Sequence, residues 1–232
     1  MQKVDKECKV LALFDFCETL VDFQSAERYL QLVAKYRDNI KRSRGIRYRI
    51  YMKLRNKIEK RLKRMLPKSW RKSFIKSRVD FEILRDLEVI EAERIAQEFF
   101  ETELLSHLNN HVIERIRYHQ KLGHTIVIVS GGFEIYIRIF ANHFNIPYVV
   151  AVSLEKCDGI LSGNMDGIHT MEHRKLYKLK QTINLSNYNL KESYAYSDCP
   201  SDIPLLSLVG NSVVVECGKD IEWAKILGFS II

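Results

Sequence analysis

From residue 111 to the end of the chain, apolar strand-like segments alternate with amphipathic helical ones. The strand-like segments are TIVIVSGG, PYVVAVSLEKC, SYAYSD and NSVVVEC, and stretches with helical spacing separate most of them. An earlier apolar run, KVLALFDF, occupies residues 9–16. This alternation predicts βαβ units and an α/β fold with a doubly wound parallel sheet. In such a sheet the ligand crevice lies at the carboxyl ends of the strands.

A long helical insertion separates the first strand from this repeating pattern. Its helical spacing begins at Ser25, a residue type that caps helix N-termini, and an acidic helix is expected at 87–106. We therefore expect a core domain of residues 1–21 and 109–232. An all-helical cap domain of residues 22–108 would lie above the carboxyl ends of the strands.

The net charge of +8 is concentrated in one part of this insertion. Residues 41–78 contain 17 Lys and Arg but one acidic residue, Glu59, and their apolar residues recur every three or four positions. This pattern predicts a basic amphipathic helix. Three interpretations stay open: a solvated helix face, peripheral contact with an anionic membrane, or binding of an anionic sugar phosphate or polymer. We do not expect nucleic acid as a partner, because no recognised reading module is present.

Other features of the sequence favour a cytoplasmic protein. No apolar run approaches the roughly 18 residues that a membrane-spanning helix needs. The charged N-terminus does not resemble a signal peptide. We expect a cytoplasmic location, with peripheral attachment to the inner membrane surface as a variant of it. The sequence indicates no oligomeric state.

Cysteines and histidines do not suggest a zinc site. The five cysteines show neither a CxxC pair nor zinc-site spacing, and reduced thiols are expected. The histidines also lack metal-site spacing, and His111, His119 and His124 flank one predicted helix, where we expect them at the surface.

Polar residues follow the strands at the edge where a ligand would bind. A carboxylate there can attack phosphorus and form an aspartyl phosphate. A hydroxyl and glycine amides can bind phosphate oxygens, and a lysine can neutralise the transferred group. Two carboxylates can bind Mg²⁺, which takes few protein oxygens and keeps water ligands. The residues of this set are Asp15, Ser130, Gly131, Gly132, Lys175, Asp198 and Asp202.

The order of these residues resembles the four motifs of the haloacid dehalogenase superfamily. FDFCETLV is similar to the first motif, IVIVSGG to the second and YSDCPSDIPLL to the fourth. The spacing of KLGHTIVIVSGGFEIYIRIFANHFNI and DGILSGNMDG resembles the phosphoserine-phosphatase-like branch, which inserts a helical cap after the first strand. The resemblance covers about 9–20 and 108–218, and it implies a Rossmann-like core.

The resemblance also implies Mg²⁺-dependent hydrolysis of an anionic phosphomonoester. Asp15 would be the nucleophile that forms the aspartyl phosphate and also a metal ligand. Asp198 would be the other carboxylate on the metal, with Asp202 bound or close by. Cys17 would contribute its backbone carbonyl to the metal.

The remaining implied roles concern the phosphate group. Ser130 and Gly131 would bind its oxygens. Lys175 would bind and neutralise it during catalysis, although Arg174 and Lys178 are close enough in sequence to be alternatives. The substrate class stays open among small, sugar-linked and lipid-linked esters. Phosphoserine itself is disfavoured, because Gln24 stands where the resemblance places a glutamate that binds the substrate amine.

Cys17 departs from the family pattern. That position usually carries an aspartate that protonates the leaving oxygen and then activates water. A thiol with a pKa of about 8.5 does this poorly, and loss of a general acid–base typically costs on the order of 10²–10⁴ in rate. Three readings follow: a slow phosphatase, a dehalogenase or phosphonatase, or a non-hydrolytic relative that binds phosphate or a membrane. We expect the first.

Overall fold

The computed structural model describes residues 9–43 and 81–232, with side chains from 9–39 and 81–232. The basic segment 41–78 lies outside the described residues, apart from the backbone of its first three. The predictions of membrane contact and of polymer binding rest on this segment, so they stay predictions. Within the described ranges, no helix is both long and apolar enough to cross a membrane.

The described strands form one seven-stranded sheet of order β4-β3-β2-β1-β5-β6-β7. All neighbouring strands are parallel except β3 and β4, which form an antiparallel hairpin at one edge. The sheet is therefore the parallel type that the alternating sequence predicts. Its strands are β1 (Leu11–Phe14), β2 (Thr125–Phe133), β3 (Tyr148–Cys157), β4 (Ile160–Asp166), β5 (Tyr194–Ser197), β6 (Asn211–Val214) and β7 (Ser230–Ile231).

Helices pack on both faces of this sheet. The described α-helices are α1 (Ser25–Ser43), α2 (Val89–Phe99), α3 (Asn110–Lys121), α4 (Glu134–His143), α5 (Arg174–Thr182), α6 (Ile203–Leu206) and α7 (Glu222–Ile226). Four short 3₁₀ turns lie at Glu82–Leu84, Leu105–His107, Leu185–Asn187 and Pro200–Asp202, and a π-helical turn at Phe100–Leu104. The acidic helix expected over 87–106 is thus shorter, because a π-helical turn follows Phe99.

β1 lies at the centre of the sheet, and every residue in it is fully buried. Its side chains alternate between two apolar clusters, so that Leu11 and Leu13 pack on one face and Ala12 and Phe14 on the other. The ring of Phe14 stacks on that of Tyr196 in β5 with 4.5 Å between centroids. This burial fixes the position from which Asp15 leaves the strand.

The two connections of the helical insertion run side by side. Val21 pairs with Leu108 in an antiparallel bridge. The amide of Asp22 donates to His107 O at 3.1 Å, and the amide of Asn109 donates to Leu20 O at 2.9 Å. The chain therefore enters and leaves the insertion through one narrow pair of segments, although the domain boundaries at 21/22 and 108/109 stay a prediction.

One histidine expected at the surface is buried. His119 has no exposed surface, because it continues the apolar face formed by Val112, Ile113 and Ile116 on α3. Its Nε2 lies 2.9 Å from the hydroxyl of Tyr196, and its Nδ1 lies 2.8 Å from His124 Nδ1. The surface prediction was wrong for His119, since a polar residue at helical spacing from an apolar stripe shares its face.

Candidate active site

Lys175 joins two carboxylates at the carboxyl edge of the sheet. Asp15 follows β1, and its amide donates to Tyr196 O at 2.9 Å. Lys175 lies in the first turn of α5, and its Nζ is 2.7 Å from Asp15 Oδ1 and 2.5 Å from Asp202 Oδ2. All three side chains are almost fully buried. The structure thus brings together three of the residues that the sequence singled out.

Burial and charge act in opposite directions within this triad. Burial raises the pKa of Asp15 to about 7, although the ammonium of Lys175 opposes the rise. Burial alone would lower the pKa of Lys175, but Asp15 and Asp202 raise it above its ordinary value, so Lys175 stays protonated. A buried ammonium with two carboxylate partners can stabilise negative charge that develops beside Asp15.

The neighbouring lysine candidates lie elsewhere. Lys178 is one turn further along α5, and its Nζ donates to Ala151 O at 2.7 Å. Arg174 is exposed. Of these three basic residues, Lys175 is the one whose hydrogen bonds reach Asp15.

Asp198 follows β5 and is 2% exposed. The hydroxyl of Thr19 donates to its Oδ1 at 3.1 Å, and Lys219 Nζ lies 2.9 Å from its Oδ2. Lys219 Nζ also lies 2.5 Å from Glu18 Oε2. Sequence reasoning missed Lys219, although its place just after a strand of the parallel sheet was a usable signal.

The carboxyl end of β2, where the register with β3 shifts between Val129 and Phe133, has the form of a phosphate-binding turn. The amide of Gly132 donates to Ser130 Oγ at 2.9 Å, so the Ser130 hydroxyl proton is left to donate to a ligand. A side chain on Gly132 would have its Cβ 2.4 Å from the Tyr136 hydroxyl oxygen, and one on Gly131 would meet Met171 Cγ at 3.1 Å. Close packing therefore requires a glycine at position 132, whereas beside Gly131 the exposed side chain of Met171 can shift.

Cys17 lies between Asp15 and the first helix of the insertion. Its Sγ is 3.1 Å from Ser25 Oγ, which is 2.8 Å from the hydroxyl of Tyr136. Burial, followed by the negative charge of Asp15, raises the pKa of the Cys17 thiol to about 11. The thiol therefore stays neutral, which makes it a poor base.

The donor chemistry of this edge fits Mg²⁺. Within the described ranges, no three His, Cys, Asp or Glu side chains converge into a metal centre, but Mg²⁺ needs only one or two carboxylates and keeps several waters. Asp202 Oδ1 is buried without a hydrogen-bond partner among the described residues. Three buried carboxylates face two lysines, so negative charge remains for a cation to offset. These residues are Asp15, Asp198, Asp202, Lys175 and Lys219.

The family model of haloacid dehalogenase-like hydrolases matches residues 12–207. The chain belongs to this family. The match includes most of β1, the helical insertion and the segments that carry Ser130, Lys175, Asp198 and Asp202. Membership in the haloacid dehalogenase superfamily, the α/β fold and the expectation of a hydrolase are therefore confirmed.

Individual relatives within the family are phosphatases. The chain is 26% identical to phosphoserine phosphatase of Methanocaldococcus jannaschii over 213 residues, which cover 92% of this chain and 88% of that protein. It is 27% identical to histidinol-phosphatase of Neisseria meningitidis serogroup C over 132 residues, 54% of this chain and 59% of that protein. A solved structure of unknown function from Bordetella pertussis Tohama I matches with a TM-score of 0.73 and 20% identity, covering 97% of this chain and 98% of that one. This last likeness concerns the fold alone.

Proposed function

We propose that the protein is a Mg²⁺-dependent phosphatase that hydrolyses a small anionic phosphomonoester through an aspartyl phosphate on Asp15. The observation that carries the proposal is the pair of contacts from Lys175 Nζ to Asp15 and Asp202. This arrangement presents a carboxylate at the end of a buried strand and a fixed positive charge beside it.

The reaction has two displacements at phosphorus. A carboxylate oxygen of Asp15 bonds to phosphorus, the phosphorus–oxygen ester bond breaks, and the departing alcohol takes a proton. Water then attacks the phosphorus of the acyl phosphate, and the Asp15 carboxylate leaves again. Lys175, Ser130 and the amide of Gly131 bind the phosphoryl oxygens in both steps.

Asp15, Asp198 and the backbone carbonyl of Cys17 would hold the metal ion, with Asp202 close by. When bound, Mg²⁺ offsets the charge of the phosphate and brings its oxygens close to the carboxylate of Asp15. The buried excess of carboxylates at this edge supports that assignment.

Cys17 makes turnover slow in this proposal. The departing alcohol needs a proton and the attacking water must lose one, and the neutral Cys17 thiol serves the second transfer poorly. The aspartyl phosphate therefore persists longer than it would beside a carboxylate. A substrate with a good leaving group would speed the first step, the formation of the aspartyl phosphate, but not its hydrolysis.

Phosphoserine and histidinol phosphate are the first substrates to test, because relatives named for these activities match the chain. Both are small phosphomonoesters with an amine. Glu18 is a carboxylate near the candidate site, whereas Gln24 stands where the family resemblance places an amine-binding glutamate. Gln24 Nε2 donates to Glu18 Oε2, so the two side chains form one polar group. A substrate amine would share the carboxylate of Glu18 with Lys219.

The decisive experiment measures phosphate release from p-nitrophenyl phosphate, phosphoserine and histidinol phosphate, with Mg²⁺ and with EDTA. The variant is Asp15→Asn, and the control is Asp22→Asn, an exposed aspartate in the same connection to α1. We expect metal-dependent release by the wild type and by Asp22→Asn, and none by Asp15→Asn. Release that survives Asp15→Asn would overturn the proposal.

A non-hydrolytic phosphate-binding protein is the second candidate, and the neutral Cys17 thiol is the observation that favours it. That reading predicts phosphate or vanadate binding with Mg²⁺ and no release of product by the wild type. Turnover that appears only in Cys17→Asp would support it.

A further inference from the structure

A lysine outside the matched family segment reaches the candidate metal ligand. Lys219 follows β6, and the family match ends at residue 207. Its Nζ lies 2.9 Å from Asp198 Oδ2 and 2.5 Å from Glu18 Oε2. The Lys219 side chain is 42% exposed, that of Glu18 20% and that of Asp198 only 2%. Lys219 therefore contacts a buried carboxylate from the solvent side.

Other groups hold the Asp198 carboxylate in place. The hydroxyl of Thr19 donates to Oδ1 at 3.1 Å, and the thiol of Cys217 lies 3.7 Å from Oδ2. The residue directly follows β5, whose last residue, Ser197, is fully buried. Because these contacts do not depend on Lys219, its main effect on Asp198 is electrostatic: it places a positive charge beside the carboxylate.

We propose that Lys219 is the internal counter-ion of Asp198 and sets the affinity of the site for its divalent cation, because ammonium and cation compete for one carboxylate. The inference rests on the proposed Mg²⁺-dependent function. In the metal-free protein Lys219 neutralises a buried charge. When the cation binds, Glu18 remains as a partner for Lys219 on the more exposed side.

Removing Lys219 has two opposing effects on the affinity for Mg²⁺, and the larger of them decides whether binding becomes tighter or weaker. A unit positive charge a few ångströms from a divalent cation disfavours cation binding by at least on the order of tenfold, even at a water-like dielectric constant. Removing Lys219 could also weaken cation binding by letting the Asp198 carboxylate rotate, but the hydrogen bond from Thr19 and the burial of Asp198 limit that rotation. Removing the charge therefore tightens Mg²⁺ binding. It also destabilises the metal-free protein, because a buried carboxylate loses its partner.

The test titrates EDTA-treated protein with MgCl₂ by isothermal calorimetry and measures Tm with and without Mg²⁺. The variant is Lys219→Met. The control is Lys225→Met, which removes the same charge from an exposed lysine that lies 3.4 Å from Glu222. We expect Lys219→Met to bind Mg²⁺ on the order of tenfold more tightly than the wild type. We also expect a lower Tm in EDTA and a larger rise in Tm with Mg²⁺, while Lys225→Met matches the wild type.

Unchanged or weaker Mg²⁺ binding by Lys219→Met, with normal binding by the wild type, would overturn this inference and leave the proposed function intact. Absence of Mg²⁺ binding by the wild type would instead remove the metal from the proposed function and this inference with it. If Lys219→Met does not fold, Glu18→Gln replaces it. That change removes the second partner of Lys219 and should weaken Mg²⁺ binding several-fold, and unchanged or tighter binding would count against the inference.

Discussion

The thiol of Cys17 lies 3.1 Å from the hydroxyl of Ser25. Ser25 is the first residue of α1, and its hydroxyl also lies 2.8 Å from that of Tyr136. The residue that would supply acid–base chemistry is therefore engaged by the start of the helical insertion. Its neutral thiol adds to the packing there, and in the proposed reaction it would leave the attacking water without a base.

Restoring a carboxylate should restore the missing step. We expect Cys17→Asp to speed hydrolysis of p-nitrophenyl phosphate, by up to the roughly 10²–10⁴ that general acid–base catalysis contributes. Steady-state rates and the lifetime of the phosphorylated enzyme measure the effect. Cys157→Asp, the same change at an exposed cysteine, is the control. A folded, Mg²⁺-binding Cys17→Asp protein without faster turnover would show that Cys17 does not limit the rate.

Removing Lys175 should destabilise the fold as well as abolish activity. Lys175→Met leaves Asp15 and Asp202 buried without their cation, a change that typically costs about 3–5 kcal/mol. Urea unfolding with EDTA present measures the loss. Lys178→Met is the control, because Lys178 is half-buried on the same helix and gives up one charged hydrogen bond to Ala151 O, worth about 1.5–3 kcal/mol. Equal losses in the two variants would contradict the ion triad.

Gly132 and Tyr136 should be coupled in a double-mutant cycle. Gly132→Ala places a Cβ 2.4 Å from the Tyr136 hydroxyl oxygen, and such overpacking costs typically about 1–3 kcal/mol. Tyr136→Phe removes that oxygen, so the double variant should lose less stability than the sum of the single variants. Free energies of unfolding from urea titrations measure the coupling. Additive losses would show that the clash is relieved elsewhere.

The sequence predicted much of this molecule because two rules act on short stretches of it. Apolar runs of strand length located the strands at the centre of the sheet, and parallel strands bring their carboxyl ends to one edge. That rule predicts that residues as distant in sequence as Asp15 and Lys175 lie at one site. The prediction of an acidic helix was wrong about its C-terminal end, because no sequence signal marks the π-helical turn after Phe99.

Contacts that depend on side-chain direction were beyond the same rules. Ser25 looked like a helix cap, but the helix begins at this residue and its hydroxyl bonds to Cys17. Lys219 belongs to no motif; its place after β6 indicates the carboxyl edge of the sheet, but the contact with Asp198 is seen only in the structure. Neither contact can be predicted from the spacing of residues within a single helix or strand.

The burial of His119 predicts a pH-dependent stability. Burial first, and then the nearby charges of His124 and Arg115, lower its pKa from 6.5 to about 4. Between these values the unfolded chain binds a proton that the native protein does not. Stability is therefore complete above pH 6.5 and is lost as the pH falls toward 4, by about 3 kcal/mol in all.

His119→Gln should reduce this dependence, because glutamine does not titrate and can still bond to the Tyr196 hydroxyl. The measurement is the free energy of urea unfolding at several pH values between 4 and 7.5, taken as the difference between variant and wild type. His111→Gln is the control, since His111 is exposed on the same helix. We expect the pH dependence of His111→Gln to match that of the wild type, while His119→Gln loses less stability on acidification. Parallel curves for all three proteins would mean that His119 is protonated as readily in the native state as in the unfolded chain.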